Sequence, residues 1–234
     1  MMKCNIIFIA TAGFLLETGG KTILVDALHH TPVGGWSAPD EGKIAQLSAL
    51  LDRKHPDVIY FTHVHPDHYS KELAEQAAER YPGCRLILPK RENAKEYACG
   101  DVCLHWTELP HMHVNGKNAG TNFCLTVRCR DFNRPGGEAK IFVSGDVDFT
   151  SPKTLAAIDG LAPDLAFLNF PWVTLRAGRE ALEKLSPGKV VLVHLPYPED
   201  DAFGYIPAAK RSAEQFFPGA VPLTEFFQQV EIEI

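Results

Sequence analysis

The sequence predicts one domain built of two β-sheets with helices on the outside, and three observations carry this. Apolar runs of strand length alternate with segments of helical period along the whole chain. A Gly-Gly turn joins paired apolar runs at 19–20 and again at 136–137, and the chain closes in β character, so antiparallel pairing is required. Both halves contain strands and helices, and their apolar strands end in charged or histidine residues. This favours two sheets over a doubly wound parallel sheet.

The elements follow in order. "NIIFIATAGFLLET" and "KTILVDAL" read as a hairpin turning at Gly19-Gly20. "HHTPVGGWSAPDEG" is a Gly/Pro-rich loop, long enough to form a flap or a surface connection. "KIAQLSALLDRK" places Ile44, Leu47, Leu50 and Leu51 at helical spacing, and "PDVIYFTH" reads as a buried strand. Ser70 is available to cap a helix over "SKELAEQAAERY". "CRLILP" reads as a strand, "KRENAKEYAC" as a helix and "DVCLHWTEL" as a strand. "TNFCLTVRCRDF" and "AKIFVSGDV" pair around Gly136-Gly137. "SPKTLAAIDGL" is expected to be a helix opened by a capping serine. The strand "PDLAFLNF", the helix "RAGREALEKL", the strand "KVVLVHLP" and the helix "YIPAAKRSAEQFF" follow, and "AVPLTEFFQQVEIEI" ends the chain.

Bulk properties narrow the function classes. The 234 residues are 45% hydrophobic and 22% charged, an ordinary balance for a folded chain with a sizeable core. A net charge of −6 gives no general attraction to phosphate backbones or anionic lipid, so neither nucleic acid nor membrane is expected as a partner. The six cysteines form no C-x-x-C pair, and several lie in apolar runs, which points to free thiols in a reducing compartment. Cys99 and Cys103 lack the second pair that a metal site would need. The apolar start contains an A-x-A at Ala10–Ala12, but cleavage there would leave too short an apolar region for a signal peptide. No run approaches a membrane span, and a cytoplasmic protein is expected.

The stretch "YFTHVHPDHYS" at 60–70 concentrates the chemistry. In H-x-H at a strand end both imidazoles point to one side and can grip one cation. After the turn at Pro66, Asp67 and His68 can serve a second. Imidazole nitrogen and carboxylate oxygen suit zinc and similar first-row ions. Four residues cannot complete two coordination shells, so further ligands are required at distant strand ends. "ELPHMHVNG" offers His111 and His113, "IFVSGDVDF" offers Asp146, and "KVVLVHLPY" offers His194. Singly, each has a bland reading: a surface loop histidine, a turn aspartate, a hydrogen-bonded histidine at a strand end. Jointly, H-x-H-x-D-H with later strand-tip ligands favours a metal centre. His29, His30, His55 and His105 have no matching context and read as ordinary histidines.

With these motifs the chain resembles the metallo-β-lactamase superfamily. "THVHPDH" (62–68) matches its T-H-x-H-x-D-H signature, "SGDVDF" (144–149) is similar to its G-D-T-type motif, and "VVLVHLP" (190–196) to its final-histidine strand. "KTILVDAL" (21–28) is similar to its early strand ending in aspartate. The resemblance implies a four-layer αββα sandwich of two mixed β-sheets flanked by helices, with a two-metal cleft along one edge. It assigns His63, His65 and His113 to the first metal and Asp67, His68 and His194 to the second. Asp146 bridges them, and Asp26 supports the cluster. His111 and His113 point the same way on an extended chain, so spacing leaves both open. The resemblance favours His113, because small stand-alone relatives place the ligand a few residues beyond a proline, here Pro110. Val147 stands where the family often has threonine, which removes a usual hydrogen bond.

Two divalent ions, zinc first with manganese or iron as alternatives, imply a metallohydrolase in which Asp67 orients the nucleophile. The expected partner is a small-molecule substrate carrying an ester, lactone, amide, thioester or phosphodiester bond. Penicillin-type hydrolysis and RNA processing fit less well, given no evident export signal and the acidic balance. The alternative is a mononuclear iron oxygenase of the same fold acting on sulfur compounds. Trp36, Phe170 and Trp172 are candidates equally for pocket lining and for packing.

Overall fold

A computed structural model describes residues 1–90, 95–113, 120–131 and 136–234. The strands of its first half are β1 (Lys3–Ala10), β2 (Gly13–Thr18), β3 (Lys21–Val25), β4 (Val58–Tyr60), β5 (Arg85–Ile87), β6 (Glu96–Cys99) and β7 (Val102–Pro110). Those of the second are β8 (Thr121–Arg130), β9 (Glu138–Val143), β10 (Leu165–Asn169), β11 (Lys189–Val193), β12 (Val221–Pro222) and β13 (Gln229–Glu233). The helices are α1 (Glu41–Lys54), α2 (Lys71–Arg80), α3 (Pro152–Ile158), α4 (Pro171–Thr174), α5 (Arg176–Leu185) and α6 (Tyr205–Phe216).

Two mixed sheets result. One has the order β13-β1-β2-β3-β4-β5, the other β12-β11-β10-β9-β8-β7-β6. In the first, β13, β1, β2 and β3 are antiparallel neighbours, while β3, β4 and β5 run parallel. In the second, β9 to β12 are parallel and β6 to β9 antiparallel. The parallel pairs need crossovers, and α1, α2, α3, α5 and α6 supply them.

The inner faces of both sheets share one core. Phe8, Phe14, Val25 and Tyr60 meet Trp106, Leu125, Ile141 and Phe167, all buried. The rings of Phe14 and Phe167 stack across the seam at 4.0 Å. On the outside, Leu47, Leu50 and Leu51 of α1 and Ala74 and Ala77 of α2 cover the first sheet. Ala181, Leu182 and Leu185 of α5 and Ile206, Ala209 and Ala213 of α6 cover the second. The order of layers is therefore helix, sheet, sheet, helix, the αββα sandwich the resemblance implied.

Local chemistry explains most of the boundaries. Asp40 caps α1 by accepting from Lys43 N at 2.7 Å, and Arg53 and Lys54 complement its C-terminal dipole. Ser70 caps α2 through Leu73 N. Ser151 precedes α3 but makes no side-chain cap; Pro152, with φ already fixed, starts that helix instead.

Two further sequence expectations are corrected. The opening hairpin is a three-stranded meander, because Thr11, at φ +51°, breaks the long first arm before the Gly19-Gly20 turn. In place of the helix expected over 90–99, Glu96–Cys99 form strand β6, paired antiparallel with β7; residues 91–94 lie outside the described residues. Pairing to a sheet edge overrides the helical propensity of Ala, Lys and Glu there. All six cysteines are free. No helix among the described residues is long and apolar enough to cross a membrane.

Candidate metal centre

Strand direction decides where the polar residues gather. β3 and β4 are parallel, as are β9, β10 and β11, so each group sends its next residue to one edge of its sheet. β7 runs with β9, since both are antiparallel to β8. Asp26 follows β3, His63 follows β4, His111 follows β7, Asp146 follows β9 and His194 follows β11. The two edges are tied together beside the site: Phe123 N donates to Thr62 O at 2.8 Å, and the Tyr60 hydroxyl donates to Phe123 O at 2.8 Å.

Three sets of donor atoms converge there: His63, His65 and His111; His63, His68 and Asp146; and Asp67, His68 and His194. Asp146 Oδ2 stands 3.3 Å from His194 Nε2, 3.6 Å from His111 Nε2 and 3.8 Å from His63 Nε2. Asp146 Oδ1 is 3.4 Å from His68 Nε2, and Asp67 Oδ2 is 3.5 Å from His194 Nε2. Donors sharing a tetrahedral ion at about 2.1 Å stand roughly 3.4 Å apart. The Nε2 atoms of His63, His68, His111 and His194 are all buried without a hydrogen-bond partner. Buried polar atoms are normally satisfied, and four such atoms around two carboxylates are what a cation site requires. The residues fit the metals that the resemblance implies.

The surrounding hydrogen bonds fix which nitrogen each imidazole offers. Asp26 is buried at φ +46° and accepts from Thr62 N at 2.7 Å and from the Thr62 hydroxyl at 2.6 Å. Its Oδ2 also lies 2.9 Å from His68 Nδ1. Because the Thr62 hydroxyl donates to Asp26, its oxygen is left to accept from His63 Nδ1 at 3.0 Å. His111 Nδ1 donates to Met112 O at 2.7 Å. One carboxylate thus orients His68 directly and His63 through Thr62, holding the proton on Nδ1 and the lone pair on Nε2.

Asp146 is held from three sides. Its N–H donates to Asn122 Oδ1 at 2.9 Å, its Oδ1 accepts from Asn169 Nδ2 at 2.7 Å, and its carbonyl accepts from Met112 N at 2.8 Å. Val147 packs into the core, and Asn169 supplies the side-chain hydrogen bond to the carboxylate. Gly145, at φ +51°, lets the chain pass Thr62: a Cβ there would sit 2.7 Å from Thr62 Cβ. His194 also adopts a left-handed backbone, φ +60°, with its N–H on Thr11 O at 2.7 Å. Such strain in a non-glycine residue is concentrated at functional sites.

The protein's own charges divide the histidines. Burial, reinforced by His68, holds His63 well below its usual range, and burial also lowers His111. Burial would lower His68 and His194 too, but Asp146 and its fellow carboxylates outweigh it. His68 is raised, and His194 is pushed up to about 10. Asp67 and Asp146 are held far below the usual carboxylate range by His194 and His68, against the upward push of burial. Two ionised carboxylates, Asp67 buried and Asp146 partly buried, therefore draw positive charge into the site.

The structure brings His63, His65, Asp67, His68, Asp146 and His194 together, with Asp26 behind them. His113 is the exception. It is exposed, whereas His111 is 2% exposed and faces the cluster, so the preference for His113 is corrected. The reason is a bridge between His111 and Val147, which with Met112 N on Asp146 O sets the frame of this segment. Cys99 and Cys103 belong to no metal-capable group among the described residues. Trp172 is core, while Trp36 packs edge-on to His194 with ring centroids 4.3 Å apart and Phe170 lies behind it. Sequence reasoning missed Asn169, which looks like an ordinary strand end, and His29. His29 is fully buried with both ring nitrogens unpartnered, and burial, then repulsion from His68, lowers it to about 4. Only its place three residues beyond Asp26 hinted at the site.

Comparison with known proteins agrees with this geometry. Residues 5–158 match the family model described as Beta-lactamase superfamily domain. No curated protein matches the chain. Among solved structures, Igni18, a metallo hydrolase from Ignicoccus hospitalis, is similar over 99% of both chains, with TM-score 0.65 and 16% identity. The isothiocyanate hydrolase from Delia radicum gut bacteria is similar over 100% of this chain and 99% of its own, with TM-score 0.61 and 16% identity. CmlA, a diiron β-hydroxylase from Streptomyces venezuelae, matches 98% of this chain with 54% of its own, at TM-score 0.59 and 14% identity. At such identities the likeness concerns the fold. With the family match spanning the H-x-H-x-D-H cluster and Asp146, and the sandwich complete on both sides of it, the chain belongs to the metallo-β-lactamase superfamily.

Proposed function

We propose that the protein is a metal-dependent hydrolase of a small molecule, working with two divalent ions, zinc foremost. The observation that carries this is the set of four unpartnered Nε2 atoms facing Asp67 and Asp146 at ligand spacing. His63, His65 and His111 would hold one ion, and Asp67, His68 and His194 the other, with Asp146 between them. When bound, the pair supplies an activated water and a positive clamp for charge developing on an attacked carbonyl or phosphoryl oxygen.

The chain's own groups do the rest. Asp26 and Thr62 keep His63 and His68 in the ligating tautomer. Asn169 pins one oxygen of Asp146, leaving Oδ2 turned toward His63, His111 and His194. Asp67, ionised throughout the physiological range, is a weak base and a good acceptor, so its part is to orient the nucleophile by hydrogen bonding rather than to store its proton. The bond cleaved is an ester, lactone, amide, thioester or phosphodiester.

The experiment is metal analysis of purified protein followed by a panel of such substrates. About two zinc or manganese ions per chain and turnover abolished by His63→Ala are expected. Turnover kept in full by His63→Ala would sever the activity from this site. A single iron with oxygen uptake would favour the oxygenase alternative, against which the second donor set, Asp67, His68 and His194, stands complete.

A further inference from the structure

The aromatic residues beside His194 form a built surface rather than a chance contact. Trp36 sits at the end of a tight turn: Val33 and Trp36 form a bridge, Trp36 N donates to Val33 O at 2.8 Å, and Gly34 and Gly35 take φ of 52° and 94°. Neighbouring Ser37 staples this turn to the rest of the fold. Its hydroxyl donates to Asp200 Oδ2 at 2.7 Å and accepts from Tyr197 N at 2.6 Å, while its carbonyl accepts from the Thr11 hydroxyl at 2.7 Å.

Asp201 fixes the other side, accepting from Tyr205 N at 2.7 Å and Ile206 N at 2.9 Å. Tyr205 then stacks on Trp36 at 5.2 Å and meets Phe170 at 5.1 Å and Phe203 at 5.5 Å. Phe203 covers Gly35 closely, since a Cβ on that glycine would be 2.8 Å from its ring, yet the phenyl is 65% exposed.

These distances say how the surface can be used. Gripping a third ring or a cation between two faces needs the faces roughly 7 Å apart. The rings here touch one another, so they make a wall and not a cage. Asp200 and Asp201, the nearby acids, are spent on holding the turn and the helix start. The wall meets the metal cluster directly, because Trp36 lies edge-on to His194.

We infer that Trp36, Phe170, Phe203 and Tyr205 recognise a flat apolar part of the substrate, an aryl or conjugated group, laid on the wall while the scissile bond reaches the His/Asp cluster. This deepens the hydrolase reading and rests on it. The two can nevertheless fail separately.

The test uses the metal-loaded protein and two carboxylate probes, 2-naphthoate and acetate, followed by calorimetry. The protein's tryptophans are Trp36, Trp106 and Trp172, and the last two are 3% and 0% exposed, so acrylamide quenching reports on Trp36. Naphthoate should bind more tightly than acetate and shield Trp36 from the quencher. Trp36→Ala and Phe203→Ala should each weaken naphthoate about three- to tenfold and leave acetate and metal content unchanged.

No naphthoate binding by the wild type, or variants that leave it unchanged, would overturn the inference. So would an equal loss for both probes, which would mean that Trp36 merely supports His194. A protein that binds naphthoate through Trp36 yet hydrolyses no substrate loses the hydrolase reading and keeps the wall. One whose preference for aryl over alkyl esters is the same in Trp36→Ala as in the wild type loses the wall alone.

Discussion

Replacing Asp26 by Asn changes one atom and sets the tautomer argument at risk. Asp26 accepts from Thr62 N, the Thr62 hydroxyl and His68 Nδ1 at 2.7, 2.6 and 2.9 Å. Asn keeps the first bond through its carbonyl oxygen, but its amide then faces two groups that had been donating to it. The hydroxyl can rotate. His68 can accept from the amide only by moving its proton from Nδ1 to Nε2, the atom that stands 3.4 Å from Asp146 Oδ1. That nitrogen is then lost to a metal.

Failure of such an orienting partner lowers metal affinity by about 10- to 100-fold, equal to about 1.4 to 2.7 kcal/mol. If His68 does not switch, a buried donor is left facing a donor, and folding stability falls by about 1–3 kcal/mol. Chelator competition with zinc, run beside urea unfolding on wild type, Asp26→Asn and His68→Ala, reads both quantities. Asp26→Asn with wild-type affinity and stability, while His68→Ala loses an ion, would refute the reasoning.

Three further outcomes are expected. Gly145→Ala should cost about 1–2 kcal/mol for its left-handed backbone and about 1–3 kcal/mol more for crowding Thr62; urea midpoints within experimental scatter of wild type would contradict this. Asn169→Ala should keep the fold but weaken zinc about tenfold by freeing Asp146 Oδ1, and unaltered chelator competition would count against it. His68 and His194, both raised and the latter to about 10, must shed protons before their Nε2 atoms ligate. Affinity should therefore rise with pH toward about 10 and fall on acidification. Calorimetry of metal uptake in buffers of different ionisation enthalpy should register proton release at neutral pH, and none would be inconsistent with the geometry.

Much of this site is written in local spacing. His63, His65, Asp67 and His68 are contiguous, and Asp26, Asp146 and His194 announce themselves as polar residues at the tips of apolar runs. His111 could not be separated from His113, because residues two apart share a side on an extended strand. Only the tertiary bridge to Val147 distinguishes them. Asn169 acts through Asp146, far away in sequence, and no local pattern marks it. The same limit applies to β6, whose residues favour a helix until β7 offers an edge to pair with.

The donors come from both sheets: those after β4 belong to one, and those after β7, β9 and β11 to the other. Any ion held among them is a rivet through the seam of the sandwich. Mass action makes that rivet count toward folding, by about 2.7 kcal/mol per site at a free-ion level 100 times Kd. Chelation should therefore loosen the seam at the His/Asp edge, while the opposite edge keeps its grip.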